Sequence, residues 1–390
     1  MWKKYLSLLM AGMLLATLCG CAKKQESSEK DNTESAESAE EAEEIQEEEE
    51  ETDEGQTEND QTDEIEIELP QESQLAIDYT LAEGLELPPK TRIAVVAKTT
   101  KGNYWKAIRT GMEMAVEDLN EAAGLEGNEK VTMTFEGPDQ EDDAEQQINI
   151  VDAVLAENPQ VLCLAAIDVE SCSAQLENAQ ENGIPVIGFD SGVSSKEMMD
   201  TICKTDNYGA GAEAARRLAA AVGDFGEILI VSSQQNTESL TDRVLGFESE
   251  ITNAHKTVTI VDTVYGDDPE DDRSLEERIR EILENHPNLK GCFVTDENAA
   301  AEVLDILKNP EYQDMKLAGF DASEKQLKAV REGREVGIIC QNPYGMGYAT
   351  VISAARAILT LDNDEMINAG YQWIDQGNID LEENQKYLYE

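Results

Sequence analysis

From Arg92 onward the apolar positions of this chain switch between two periods. Short runs rich in β-branched residues, at 92–97 (RIAVVA), 131–135, 161–167 and 184–189, predict strands. Between them, apolar residues recur every three or four positions. The helix that opens at Tyr104-Trp105 carries Ile108, Met112, Ala115, Val116 and Leu119 at that spacing, with Gly124 just past its end. Residues 142–158 place Ile148, Val151, Val154 and Leu155 inward, and 171–182 form a helix closed by Gly183. A short strand at 201–204 (TICK) ends this half.

The alternation then restarts. It predicts a helix to residue 222, then strand 227–231, helix 240–252, strand 258–264, helix 270–285, strand 291–295 and helix 298–307. The stretch after Leu317 repeats the unit twice more. An apolar run, 317–320, ends on Asp321; Leu327 and Val330 mark a helix stopped by Gly333; a buried strand, 336–340, ends on Gln341 and Asn342. A helix starts at Tyr344, and 371–374 is a late connecting strand. Strands joined to helices by right-handed crossovers give α/β architecture, here two doubly wound parallel-sheet lobes. Side chains at the carboxyl ends of such strands face the crevice where ligands bind. Asp168, Asp190, Ser191, Asp321 and Gln341 stand there, although the same placement also suits the capping of loops.

Charge narrows the partners. The 390 residues hold 83 acidic against 30 basic side chains, a formal net charge of −53. Nucleic acid is excluded as a partner, because phosphate binding needs a basic face. The opening MWKKYLSLLMAGMLLATLCGC is a targeting segment, with Lys3 and Lys4 ahead of an apolar run too short to span a membrane. Its end, Leu18-Cys19-Gly20-Cys21, resembles a bacterial lipobox. That resemblance implies cleavage before Cys21 and a diacylglycerol on its sulfur; more than one acyl chain gives stable anchoring. Residues 22–70 carry 22 acidic residues against 3 lysines and no aromatic residue, a composition that predicts a disordered, extended spacer.

The remaining cysteines, Cys163, Cys172, Cys203, Cys292 and Cys340, are odd in number and irregular in spacing, and read as small core residues. With His255 and His286 the only histidines, no metal site is expected. No catalytic residue or cofactor is expected either. Gly209-Ala-Gly211-Ala-Glu-Ala214 matches a dinucleotide turn in outline, but no acidic ribose ligand ends the next strand, and small residues letting a helix sit close to a sheet explain it better. Asp267, Asp268, Asp271 and Asp272 lack calcium-loop spacing and read as a helix N-terminus with favourable dipole charges.

What remains suits a small sugar or polyol, which needs flat apolar surfaces for its C–H faces and fixed polar groups for adjacent hydroxyls. Tyr104 and Trp105 supply stacking, Asp168, Asp190, Asp296 and Asp321 acceptors, Lys98 and Arg243 donors, and Gln341 both. Converging carboxylates need a counter-charge, and Arg243 is expected to provide it.

Phe320-Asp321-Ala322-Ser323 with Gln341-Asn342-Pro343 resembles the type I periplasmic binding proteins of ribose-type ABC importers, over roughly residues 91–377. The aromatic pair Tyr104-Trp105, Asp190 after Ile-Pro-Val-Ile, and Arg243 before a Gly-Phe pair match the same family. The resemblance departs at Ser191, Asp296 and Gly102, so it implies the ligand class and not ribose itself. Lys98 and Asp168 also resemble positions used by binding proteins for autoinducer-2. The family implies a monomeric, extracytoplasmic receptor that passes its ligand to the transmembrane subunits of an ABC permease. A sensory receptor presenting ligand to a chemoreceptor or kinase is the alternative. The expected organisation is a signal peptide at 1–20, a lipidated Cys21 and linker to 88, a first lobe of 91–204 plus 342–370, and a second of 205–341 plus 371–390.

Overall fold

Two six-stranded sheets organise the chain, and the computed structural model describes them within residues 77–389. The signal peptide, Cys21 and most of the acidic spacer lie outside the described residues. Strands β1 (Arg92–Val96), β2 (Thr132–Glu136), β3 (Val161–Leu164), β4 (Val186–Phe189) and β5 (Thr201–Lys204) make most of the first sheet. The second is made mostly of β6 (Gly226–Ser232), β7 (Val258–Tyr265), β8 (Leu289–Val294), β9 (Lys316–Phe320) and β10 (Gly337–Gln341). The chain then returns, β11 (Met366–Asn368) joining the first sheet and β12 (Tyr371–Ile374) the second. In space the orders are β11-β5-β4-β3-β1-β2 and β12-β10-β9-β8-β6-β7. Pairing is parallel throughout, except that β12 runs antiparallel to β10. Three connections cross between sheets, after β5, after β10 and between β11 and β12.

Among the described residues nine helices alternate with these strands: α1 (Gly102–Ala122), α2 (Ala144–Leu155), α3 (Ser173–Glu181), α4 (Asn207–Ala221), α5 (Glu238–Ala254), α6 (Leu275–Asn285), α7 (Glu297–Ile306), α8 (Glu324–Arg331) and α9 (Pro343–Ile358). Both faces of each sheet are covered, which is why the strands read as unbroken apolar runs. Ile93 and Val95 face the core built with α1 and α9, whereas Ala94 and Val96 face the one built with α2 and α3. In the second sheet Ile228 and Ile230 pack toward α4 and α5, Leu229 and Val231 toward α6 and α7.

Three sequence expectations are corrected. The linker was expected to reach residue 88, but Tyr79, Ala82, Leu85 and Leu87 are buried against the first lobe's core, apolar anchors that an acidic tether lacks. Within the Gly209–Ala214 motif, Ala210 and Ala214 pack toward the sheet as expected, but Gly211 serves a helix: a Cβ on it would lie 2.1 Å from the Arg243 carbonyl oxygen, and one on Gly246 2.0 Å from that of Tyr208. Helices α1 and α9 meet the same way through Gly111 and Gly347. Finally, α6 begins at Leu275 and not near Glu270, because Ser274 and Glu277 form a reciprocal capping box; Asp268 and Asp271 instead accept backbone N–H groups in the turns before it.

The five cysteines within the described residues are buried free thiols. No helix among those residues is long and apolar enough to cross a membrane.

Candidate functional site

Strands β4 and β9 hold corresponding places in their sheets, and each ends on an aspartate with a left-handed backbone: Asp190 at φ 61° and Asp321 at φ 74°. Aspartate tolerates this region better than most residues. The turn lets each backbone N–H bond the neighbouring strand, Asp190 to the Cys203 carbonyl (3.0 Å) and Asp321 to that of Ile339 (2.8 Å).

In the first lobe Lys98, just beyond β1, forms a buried ion pair with Asp190 Oδ2 at 2.8 Å and donates to Ser191 Oγ at 3.0 Å. Tyr104, on the first turn of α1, donates to Asp190 Oδ1 at 2.6 Å, and Gln341 Oε1 lies 3.3 Å from the same hydroxyl. Burial works against the Asp190 charge, but Lys98 beside it and the hydrogen bonds from Lys98 and Tyr104 hold its carboxyl below the ordinary range. Asp190 is therefore an anion with both oxygens occupied.

In the second lobe Gln341 closes β10, where its amide donates to Asp321 Oδ1 (2.8 Å) and its carbonyl oxygen accepts from Thr205 (2.8 Å). Arg243 lies face-on over Phe320, 3.5 Å from the ring centroid, and donates to Asn207 Oδ1 and the Thr295 carbonyl. Its nearest approach to Asp321 is 3.9 Å. Burial accordingly raises the Asp321 carboxyl, with Arg243 and Gln341 opposing. The expectation that Arg243 is the counter-charge of the converging carboxylates holds in part: it opposes the rise at Asp321 and helps lower Asp190, but Lys98 is the direct partner of Asp190 and Arg243 hydrogen-bonds Asn207 and a carbonyl.

The structure brings Lys98, Tyr104, Asp190, Ser191, Arg243, Phe320, Asp321 and Gln341 into one connected group spanning both lobes. Three other candidates stand apart. Trp105 is buried in the first core, edge-on to Tyr104 and Phe189, with its indole N–H donated to Glu141 (3.1 Å). It supports Tyr104 from behind. Asp168 caps a turn, accepting from the N–H groups of Glu170 and Ser171. Asp296 caps α7 through Asn298 and Ala299, and its other oxygen accepts from Ser233 N–H and the Thr295 hydroxyl.

Sequence reasoning missed several participants. Lys204 at the end of β5 reaches Glu238 at 2.5 Å, Ser191 donates to Ser239 at 2.7 Å, and Thr237 donates to the Ile167 carbonyl, so the start of α5 docks on the first lobe. Tyr389 lies edge-on to Tyr104, centroids 5.4 Å apart. Lobe-to-lobe contacts of this kind leave no periodic trace in the chain. A cleft of about 430 Å³ opens beside this group, lined by Asn103, Tyr104, Glu297, Ala322, Ser323 and Tyr389 among others. Burial pushes the carboxyls of Glu141 and Glu297 up to about 7; Lys98 opposes this at Glu141, while the neighbouring carboxylates add to it at both. Among the described residues no cluster of His, Cys, Asp and Glu is arranged to hold a metal ion.

The family model for the periplasmic binding protein domain matches residues 93–360. The ribose import binding protein RbsB of Escherichia coli (strain K12) is 22% identical over 271 residues, covering 69% of this chain and 85% of that protein. Among solved structures, an ABC transporter solute binding protein from Agrobacterium vitis with bound D-fucose is 26% identical with a TM-score of 0.67, covering 76% of this chain and 100% of that one. A carbohydrate transporter solute binding protein from Agrobacterium radiobacter, in complex with D-arabinose, matches in fold at a TM-score of 0.67 and 23% identity, over 77% and 99%.

Proposed function

The chain belongs to the periplasmic binding protein domain family, and from that premise we propose that it captures a small sugar or polyol between its lobes and delivers it to an ABC permease. The carrying observation is the hydrogen-bonded line Lys98–Asp190–Tyr104–Gln341–Asp321, which runs from one lobe to the other beside the cleft. A sugar offers the donors and acceptors such a line can exchange partners with, and Tyr104 offers a face to its C–H groups. Ser191, Arg243 and Phe320 complete the proposed contacts. Asp168 and Asp296 shape the loops from their capping positions, and Trp105 fixes Tyr104. The reading is of a receptor with no chemical step. The sugars named for the relatives, ribose, fucose and arabinose, support the ligand class.

The same reading places the protein outside the cytoplasm, anchored through an acyl-modified Cys21. Radiolabelled palmitate should enter the wild-type chain and not Cys21→Ser; equal labelling of both would sink the anchor.

Thermal unfolding in the presence of D-ribose, D-arabinose, D-fucose, D-galactose and a polyol such as ribitol tests the ligand class. A ligand at about 100 times its dissociation constant stabilises by about 2.7 kcal/mol, a readily measured rise in Tm. A rise with at least one of them is expected. No rise with any overturns the assignment.

A further inference from the structure

We propose that Tyr389 is a ligand-contacting, specificity-determining wall of this cleft, carried into it by the segment that follows β12. The inference rests on the sugar-binding reading and adds a residue to it. The segment is anchored, not dangling: Leu388 is buried with Ile338, Cys340 and Ile374, and Asn384 and Gln385 donate to the carbonyls of Asn378 and Ile379. Tyr389 therefore emerges at a fixed place beside Ala322.

Its hydroxyl accepts the Ala322 backbone N–H at 3.1 Å and donates to Asp321 Oδ1 at 3.3 Å. Gln341 donates to that same Oδ1, so the oxygen has two donors, while among the described residues the partner of Oδ2 is Arg243 at 3.9 Å. A ligand hydroxyl is left with Oδ2. Tyr389 thus decides which edge of the carboxylate reads the ligand. Burial, with Asp321 adding to it, pushes the Tyr389 phenol well above its ordinary range, so the hydroxyl keeps the proton it donates.

The ring does a second task. Tyr104 comes from the first lobe and Tyr389 from the second, and their planes meet at 64° with centroids 5.4 Å apart. Both residues line the cleft. Two apolar faces set as a corner suit a compact ring with C–H groups on adjoining sides.

Calorimetric titration of the full chain, as wild type, Tyr389→Phe and Tyr389→Ala, with D-ribose, D-arabinose, D-fucose and D-galactose, is the test. Tyr389→Ala should weaken every sugar the wild type binds by about tenfold or more, which is about 1.4 kcal/mol. Tyr389→Phe keeps the ring and removes one of the two donors to Oδ1, leaving Gln341, so it should retain binding and change the order of preference among the four. Unchanged affinity and order in both variants would overturn the assignment and leave the sugar reading standing. Tighter binding by Tyr389→Ala would also overturn it, marking the ring as a competitor for the site. If the wild type binds none of the four, this inference falls together with the reading beneath it. Tyr389→Phe, which preserves packing, guards against a loss that reflects misfolding of the alanine variant.

Discussion

Asp190 and Asp321 are structural counterparts, one from each lobe, both at positive φ after corresponding strands and both tied by their N–H to the next strand. Their electrostatics differ because their partners do. Asp190 has a lysine at 2.8 Å and is held below the ordinary range, whereas Asp321 has an arginine only at 3.9 Å and is raised.

Removing the lysine should expose that dependence. Lys98→Met leaves Asp190 buried without its cation, and breaking a buried pair in this way costs about 3–5 kcal/mol. Urea unfolding should show that loss, and Lys98→Met with Asp190→Asn should cost less than the two single changes together. Strict additivity would mean that the pair is not coupled.

Arg243→Lys keeps the charge but loses the planar stack on Phe320 and the fork shared between Asn207 and Thr295. Affinity for any sugar that stabilises the wild type should fall roughly tenfold or more, the scale of one hydrogen bond to a charged group. Unaltered affinity by calorimetry would remove Arg243 from the site.

The carboxyl of Glu141 is pushed up to about 7 from the ordinary 4.5, chiefly by burial. A folded-state value above the unfolded one means that its stabilising contribution is complete below about pH 4.5 and is lost as pH rises through about 7. Glu141→Gln removes that slope while keeping an acceptor for the Trp105 indole. The Tm of the variant minus that of the wild type should become more positive between about pH 5 and pH 8. Parallel Tm profiles would contradict the assignment.

Gly211→Ala would set a Cβ 2.1 Å from the Arg243 carbonyl oxygen. Overpacking of this kind costs about 1–3 kcal/mol, so the urea midpoint should drop. Gly211 has no positive φ, and an unchanged midpoint would show that the helix contact carries no weight.

Much of this architecture was legible in the chain because buried parallel strands and amphipathic helices write distinct periods. The 201–204 and 371–374 strands were placed to the residue. Strand-end positions also pointed to Asp190, Asp321 and Gln341, since topology alone puts them at the crevice. Pairings did not follow. Nothing in the sequence says that Lys98 and not Arg243 meets Asp190, or that Asp168 and Asp296 spend their oxygens on local N–H groups, because an aspartate before a helix caps and an aspartate at a crevice look alike. Residues 77–88 and Tyr389 were missed because both lie outside the repeating strand–helix pattern and are held by tertiary contacts only.

The close contact at Gly211 reaches further than helix packing. Arg243 is gripped at its carbonyl by α4 on one side and at its guanidinium by Asn207, Thr295 and Phe320 on the other. A side chain clamped at both ends behaves as a fixed post, whatever occupies the cleft. Descendants of this chain that come to favour a different sugar would then be expected to keep residues 207, 211 and 243 as a unit. They would change instead at the edge of the site, where Tyr389 can be exchanged without moving the post.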